Sequence, residues 1–177
     1  MAAKLVFLVG VMGLGGYVYH KASNYDPNVF AYSKSQVEDM LVTARTTIPR
    51  RDGDGKIQIW GTGRSAKGVS LAMQYSSTAP VLSCEAVITE IDPKQSRVVP
   101  DCGHQAGGDS AIGRTQDQLR VPMFEEHILA TLNKRDFDRS RAQQKETAVV
   151  LGNMGGMQRE ALKRSDETQR MIAESKP

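Results

Sequence analysis

Aromatic residues, cysteines and charge imbalance are all scarce in this chain of 177 residues. Aromatics make up 6% of it, with one tryptophan at Trp60, so the core it can bury is a modest one. The net charge of +3 and a pI near 8.9 are mild. Lys134, Arg135, Arg139, Arg141 and Lys145 are interleaved with Asp136, Asp138 and Glu146. That mixed-sign pattern belongs to a solvated helix face, and nucleic acid is not expected as a partner. The first of the two cysteines, Cys84, lies far beyond the one long apolar run, which excludes lipidation at the end of that run. No Ala-x-Ala occurs, so the usual signal-peptidase signal is missing.

The apolar run itself is Leu5 to Tyr19, preceded by Lys4 and followed by His20 and Lys21. As a helix it rises roughly 22 Å, and roughly 28 Å counted from the first residue, against a hydrocarbon core of about 30 Å. Leu5, Phe7, Leu8, Val9, Val11 and Leu14 supply the lipid-facing bulk, and Tyr17 and Tyr19 stand where an aromatic belt stands. Lys4 and the α-amino group precede the run, whereas Asp26 follows Lys21, so the N-terminus is expected in the cytoplasm. Residues 1–21 thus read as an uncleaved signal-anchor. A signal cleaved near Gly13–Leu14–Gly15 is the alternative. A buried helix of a soluble protein fits worse, because the run carries four glycines and no polar face.

Residues 22–28 form a linker with Pro27, and residues 29–138, about 110 in number, suffice for one domain. Val29–Tyr32 reads as a short strand. Ser33 with Gln36, and Ser35 with Glu38, make overlapping capping boxes for a helix. Val37, Met40, Leu41 and Ala44 share one face of that helix, and Pro49 stops it. Strands are expected at Lys56–Gly63, Val69–Tyr75, Leu82–Ile91 and Ser96–Cys102, the second alternating most strictly. Gly103–Thr115 reads as a loop and Gln118–Val121 as a last short strand. Pro122 opens a helix with Phe124, Ile128, Leu129 and Leu132 on one face. Residues 139–177 form a polar helical tail, broken at Gly152 and at Gly155–Gly156. Within it Met154, Met157 and Ala161 make an adaptable apolar stripe for a partner, or else part of a solvated tail.

The turn at Asp92–Pro93–Lys94 sets a register. Cys84 and Cys102 each lie nine residues from Pro93, so a three-residue turn centred there places them directly opposite. A disulfide is expected in an oxidising compartment, with two buried free thiols as the alternative.

Motifs for chemistry do not hold together. Gly61–Gly68 has Ala66 and Gly68 where a phosphate loop needs Gly and Ser or Thr, so it reads as a hairpin turn. Asp52–Gly55 fails as a calcium loop, since Ile57 stands at the obligatory glycine and Gly63 at the bidentate glutamate. His104 with Asp101 and Asp109 has no ligand-spaced partner, and His127 beside Glu126 reads as a surface residue. Ser110 lacks a nucleophile elbow. No catalytic residue, metal ligand or cofactor is assigned.

The layout resembles the START-like helix-grip fold of the SRPBCC superfamily. The resemblance lies in Val29–Ser33 leading into Val37–Leu41, the meander from Ile57 to Val99, and Phe124–Glu125–Glu126–His127–Ile128–Leu129–Ala130–Thr131–Leu132. Lys134–Arg135–Asp136–Phe137–Asp138 looks like the end of that helix in small membrane-anchored bacterial members. It implies an α+β domain in which a small antiparallel sheet grips helices over an apolar cavity. Independently of the resemblance, the anchor, the lack of a catalytic constellation and the long charged tail lead to the expectation of a non-catalytic, single-pass accessory subunit of a bacterial inner-membrane complex, with most of the chain periplasmic. Its partners would be the membrane and other membrane-protein subunits. The alternative is a binder of a lipid or other hydrophobic ligand, with Met40, Leu41, Trp60, Leu71, Met73 and Leu129 lining the cavity rather than serving as core.

Overall fold

The computed structural model describes residues 26–50, 55–104 and 110–174. The expected anchor, with Leu5, Phe7, Leu8, Val9, Val11, Leu14, Tyr17 and Tyr19, lies outside these residues. So do Asp52 and Asp109. Among the described residues no helix is long and apolar enough to cross a membrane.

The fold is α+β. Six antiparallel strands, β1 (Val29–Phe30), β2 (Arg45–Pro49), β3 (Lys56–Arg64), β4 (Gly68–Gln74), β5 (Leu82–Asp92) and β6 (Gln95–Asp101), lie in the order β1-β6-β5-β4-β3-β2. Helix α1 (Lys34–Thr43) carries the chain from one edge of the sheet to the other, and α2 (Ala111–Gln118), α3 (Val121–Leu132) and α4 (Arg139–Glu174) follow the last strand.

Helix α1 starts at the capping box formed by Ser33 and Gln36, the first of the two expected. It buries Val37 and Leu41. It does not run to Pro49 as its apolar spacing predicts. Ala44 is extended, and Arg45–Pro49 is instead the edge strand β2, paired with β3. The β-branched Thr46, Thr47 and Ile48 favour a pleated surface, and Ile48 gains a core position opposite Ile57. The last turn of α1 lies directly on β3. A Cβ on Gly61 would collide with the carbonyl oxygens of Leu41 and Val42, so only glycine permits that approach.

The β5–β6 register is the one expected, with Glu85 opposite Asp101 and Ile88 opposite Val98. Its cause differs. Asp92 pairs with Gln95 across a two-residue turn, and a bulge between Glu90 and Asp92 restores the alignment. The segment from Gly61 to Gly68 is a hairpin, with Ser65 donating its N–H to the carbonyl of Gly68 at 2.8 Å.

Two expectations after β6 are corrected. Gly103–Thr115 is not all loop, because Ser110 caps α2 by accepting from the Gly113 N–H. Gln118–Val121 is no strand but the junction of α2 with α3. Helix α4 runs unbroken through Gly152, Gly155 and Gly156 over 36 residues, roughly 54 Å. Each mid-helix glycine costs about 1 kcal/mol. Contacts of Asn153, Gly156 and Glu160 with α2 start next to Gly152 and span Gly155 and Gly156, which offsets that cost in part.

The core lies between one face of the sheet and α1 and α3. Leu41, Ile59, Met73, Phe124, Ile128 and Leu132 are among its fully buried side chains. The other face of the sheet carries Arg45, Gln58, Thr62, Ser70, Glu85 and Thr89, mostly polar, as a one-sided antiparallel sheet should.

Candidate functional site

Helix α3 is buried on almost every side, nine of its twelve residues being inaccessible. Its buried polar side chains therefore need partners. Glu126 receives a bidentate bond from Arg135, with Nη1 2.5 Å and Nη2 3.1 Å from its two oxygens, and the Asp138 N–H donates to it at 2.8 Å. Arg135 is held further toward its charged form by that bond. Lys134 takes φ 52°, the left-handed conformation that ends a helix, and its ammonium lies over the Tyr32 ring. Phe137 packs against the core, and Asp138 caps α4 by accepting from the Arg141 N–H. Lys134–Asp138 is thus the joint that fixes where α4 leaves the domain. Sequence reasoning read these charges as a solvated face and missed the clamp. Met123 and Ala130 on the far side of α3, both buried, are the signal that a second helix covers it.

His127 is also corrected. It is not a surface residue: its side chain is buried (0% exposed) and its Nδ1 lies 2.8 Å from Thr46 Oγ1 on β2. Its Nε2 has no hydrogen-bond partner. Burial pushes the imidazole down from 6.5 to about 4, so it is neutral at pH 7.

Helix α4 departs along the outer side of α3 and then along α2. Arg139 donates to the carbonyl of Pro49 at 2.7 Å, and Lys145 pairs with Glu125 at 2.6 Å. Desolvation holds the half-buried Glu146 above the usual carboxylate range. Asn153 donates to Gln118 at 2.7 Å, and Glu160 accepts the Ala111 N–H at 2.6 Å. Desolvation opposes ionisation of Glu160, but the Ala111 N–H and the Arg164 guanidinium outweigh it and hold the carboxyl below its usual range. Only Ala142 of this helix is buried. Leu151 and Leu162 are 61% and 67% exposed, and Val150, Met154, Met171 and Ile172 are exposed as well. Of the expected stripe, Met154 and Ala161 are exposed and Met157 is half-buried.

The expected lining residues divide. Leu41, Leu71, Met73 and Leu129 are buried together in the core, with Met40 packed against it. Trp60 lies on the opposite face of the sheet, because its neighbour Ile59 points into the core, and Arg45 stacks over it at 6.0 Å.

Cys84 and Cys102 form a disulfide, with Cα atoms 4.0 Å apart. Two depressions adjoin it. One of about 550 Å³, on the outer face of the sheet, is lined by Thr62, Ser70, Ser83, Glu85, Asp101 and both cysteines. The other, of about 240 Å³, lies between Cys102–His104 and Arg114, Asp117 and Val121. His104 is exposed and lies 3.8 Å from Asp117, while Asp101 meets Lys67 at 4.0 Å. Among the described residues no three His, Cys, Asp or Glu side chains group as metal ligands. Comparison with protein-family models, curated proteins and solved structures finds no match to this chain.

Proposed function

We propose that this protein is a non-catalytic accessory subunit, held by a single N-terminal pass in a bacterial inner membrane and working through protein contacts on the periplasmic side. The observation that carries the reading is α4. A helix of 36 residues with one buried side chain leaves Leu151, Met154 and Leu162 facing water, which a free-standing helix has no reason to do. The uncharged run from Leu5 to Tyr19 supports the membrane anchor, and the disulfide suits an oxidising compartment. The order strand, helix, five-strand meander and helix, with β1 beside β6, supports membership of the helix-grip class.

Mild detergent extraction followed by native purification tests this. The expected result is a stoichiometric complex with a larger membrane assembly, lost in the Leu151→Glu/Leu162→Glu variant while the disulfide and thermal unfolding stay unchanged. A lone monomer carrying extractable lipid would overturn it in favour of the hydrophobic-ligand binder. Intact mass of the purified chain tests the anchor separately, and loss of residues 1–15 would refute it.

A further inference from the structure

The cysteine pair does more than close a hairpin. Seven ladder pairs already hold β5 against β6, and Ala86, Ile88 and Val98 are buried beneath them. Past the last ladder pair the bond ties the buried Cys102 to β5, and Gly103 follows with its N–H donated to Asp101 Oδ1 at 3.1 Å before the chain reaches His104. With Pro100 and Asp101 at the end of β6, these three residues form one wall of the smaller depression, and α2 with the start of α3 forms the other, through Arg114, Asp117, Gln118 and Val121. His104 approaches Asp117 across it.

The other side of α2 receives α4. The Glu160 carboxylate accepts the Ala111 N–H, and Asn153 donates to Gln118. A Cβ on Gly156 would stand 3.4 Å from that of Ala111. Helix α2 therefore lies between the middle of α4, which it touches directly, and the Cys102–His104 wall, which it meets across the depression through His104 and Asp117.

We propose that the Cys84–Cys102 bond is a redox latch on α4. Oxidised, it keeps the wall in place, α2 stays seated, and α2 holds α4 at Asn153, Gly156 and Glu160. Reduced, the wall is released, α2 loosens from its Asp117 end, and α4 lifts away from Asn153 onward while the sheet stays folded. The latch acts on the helix assigned above to partners, but the coupling is internal to this chain and stands without that assignment.

The reductant is a dithiol. Its thiolate attacks the sulfur of Cys102, the half-cystine that borders both depressions, and Cys84 leaves as a thiolate that takes up a proton. The second thiol of the donor then attacks its own sulfur in the mixed disulfide and expels Cys102, which is protonated in turn. Two electrons and two protons pass to the cysteines, and the donor ends as a disulfide.

Hydrogen exchange read by mass spectrometry on the full chain in detergent tests the latch, before and after dithiothreitol, with intact mass confirming the gain of two hydrogens. Amides of residues 111–118 and 153–164 should exchange about tenfold faster or more after reduction, and those of β3 and β4 should stay within about twofold. The Cys84→Ser/Cys102→Ser variant should show the reduced pattern without reductant. The latch is refuted if α2 and α4 keep their protection once the bond is open, or if the double variant keeps the oxidised pattern. It is equally refuted if β3 and β4 lose protection together with them, or if the untreated protein already carries two thiols.

Discussion

Helices α3 and α4 follow one another in the chain and meet opposite fates. The first is short and nearly all of it is inside, so even its glutamate and histidine are enclosed. The second is three times as long and buries one alanine. Apolar content does not separate them cleanly, since α4 also carries Val149, Val150, Leu151 and three methionines. What separates them is coverage. Helix α3 has the sheet and α1 on one side and α4 on the other, whereas α4 has α2 and α3 on one side and water on the other. Burial of α3 specifies the fold, and α4 keeps apolar side chains such as Leu151 and Leu162 in water.

The contrast is broken most severely at the clamp. Glu126→Ala removes the carboxylate from Arg135, which keeps its bond to the Asp136 carbonyl, and leaves the Asp138 N–H open, and should cost about 3 kcal/mol by thermal or denaturant unfolding. That is the low end for a broken buried pair, because Arg135 keeps 31% of its side chain in water. A loss below about 1 kcal/mol would mean that α4 is not anchored there.

His127 gives an effect of similar order that depends on pH. Its folded value of about 4 lies below the unfolded 6.5, so between these values the unfolded chain binds more protons. Stability should be complete above pH 6.5 and fall by on the order of 3 kcal/mol as the pH approaches 4. His127→Gln should flatten that slope, and an unchanged slope would assign the acid sensitivity elsewhere.

Gly152→Ala should act in the opposite sense. Added at that position, a Cβ meets nothing within 4 Å, so α4 should gain up to about 1 kcal/mol of helix stability, seen as slower exchange between residues 149 and 160. Least of all should happen with Leu162→Glu, which is expected to change unfolding by no more than about 0.5 kcal/mol. The same change on α3, Leu129→Glu, should abolish folding, and comparable effects at the two sites would erase the distinction drawn between the helices.

Much of this arrangement was legible in residue order, and the failures are physical. Strict alternation in β4 marked a central strand, and the count about Pro93 gave the β5–β6 register and its disulfide, although a two-residue turn compensated by a bulge, not a symmetric turn, produces that register. Strand β2 was hidden because a helical pattern ending at Ala44 and a proline at 49 look like one helix with its stop. Helix α2 was hidden by the glycine-rich stretch before it. The persistence of α4 across three glycines could not be read locally, because contacts with α2 decide it. The Glu126 clamp and the burial of His127 depend on a second helix covering α3, a fact of tertiary structure that helix periodicity alone does not contain.

The most direct test is site-specific photo-crosslinking in intact membranes. A crosslinker placed at Leu151 or Leu162 on α4 should give a discrete adduct with another membrane protein. One placed at Gln58, on the outer face of the sheet, should give none. Adducts to lipid alone from the α4 positions, or a protein adduct only from Gln58, would contradict α4 as the surface through which this protein works.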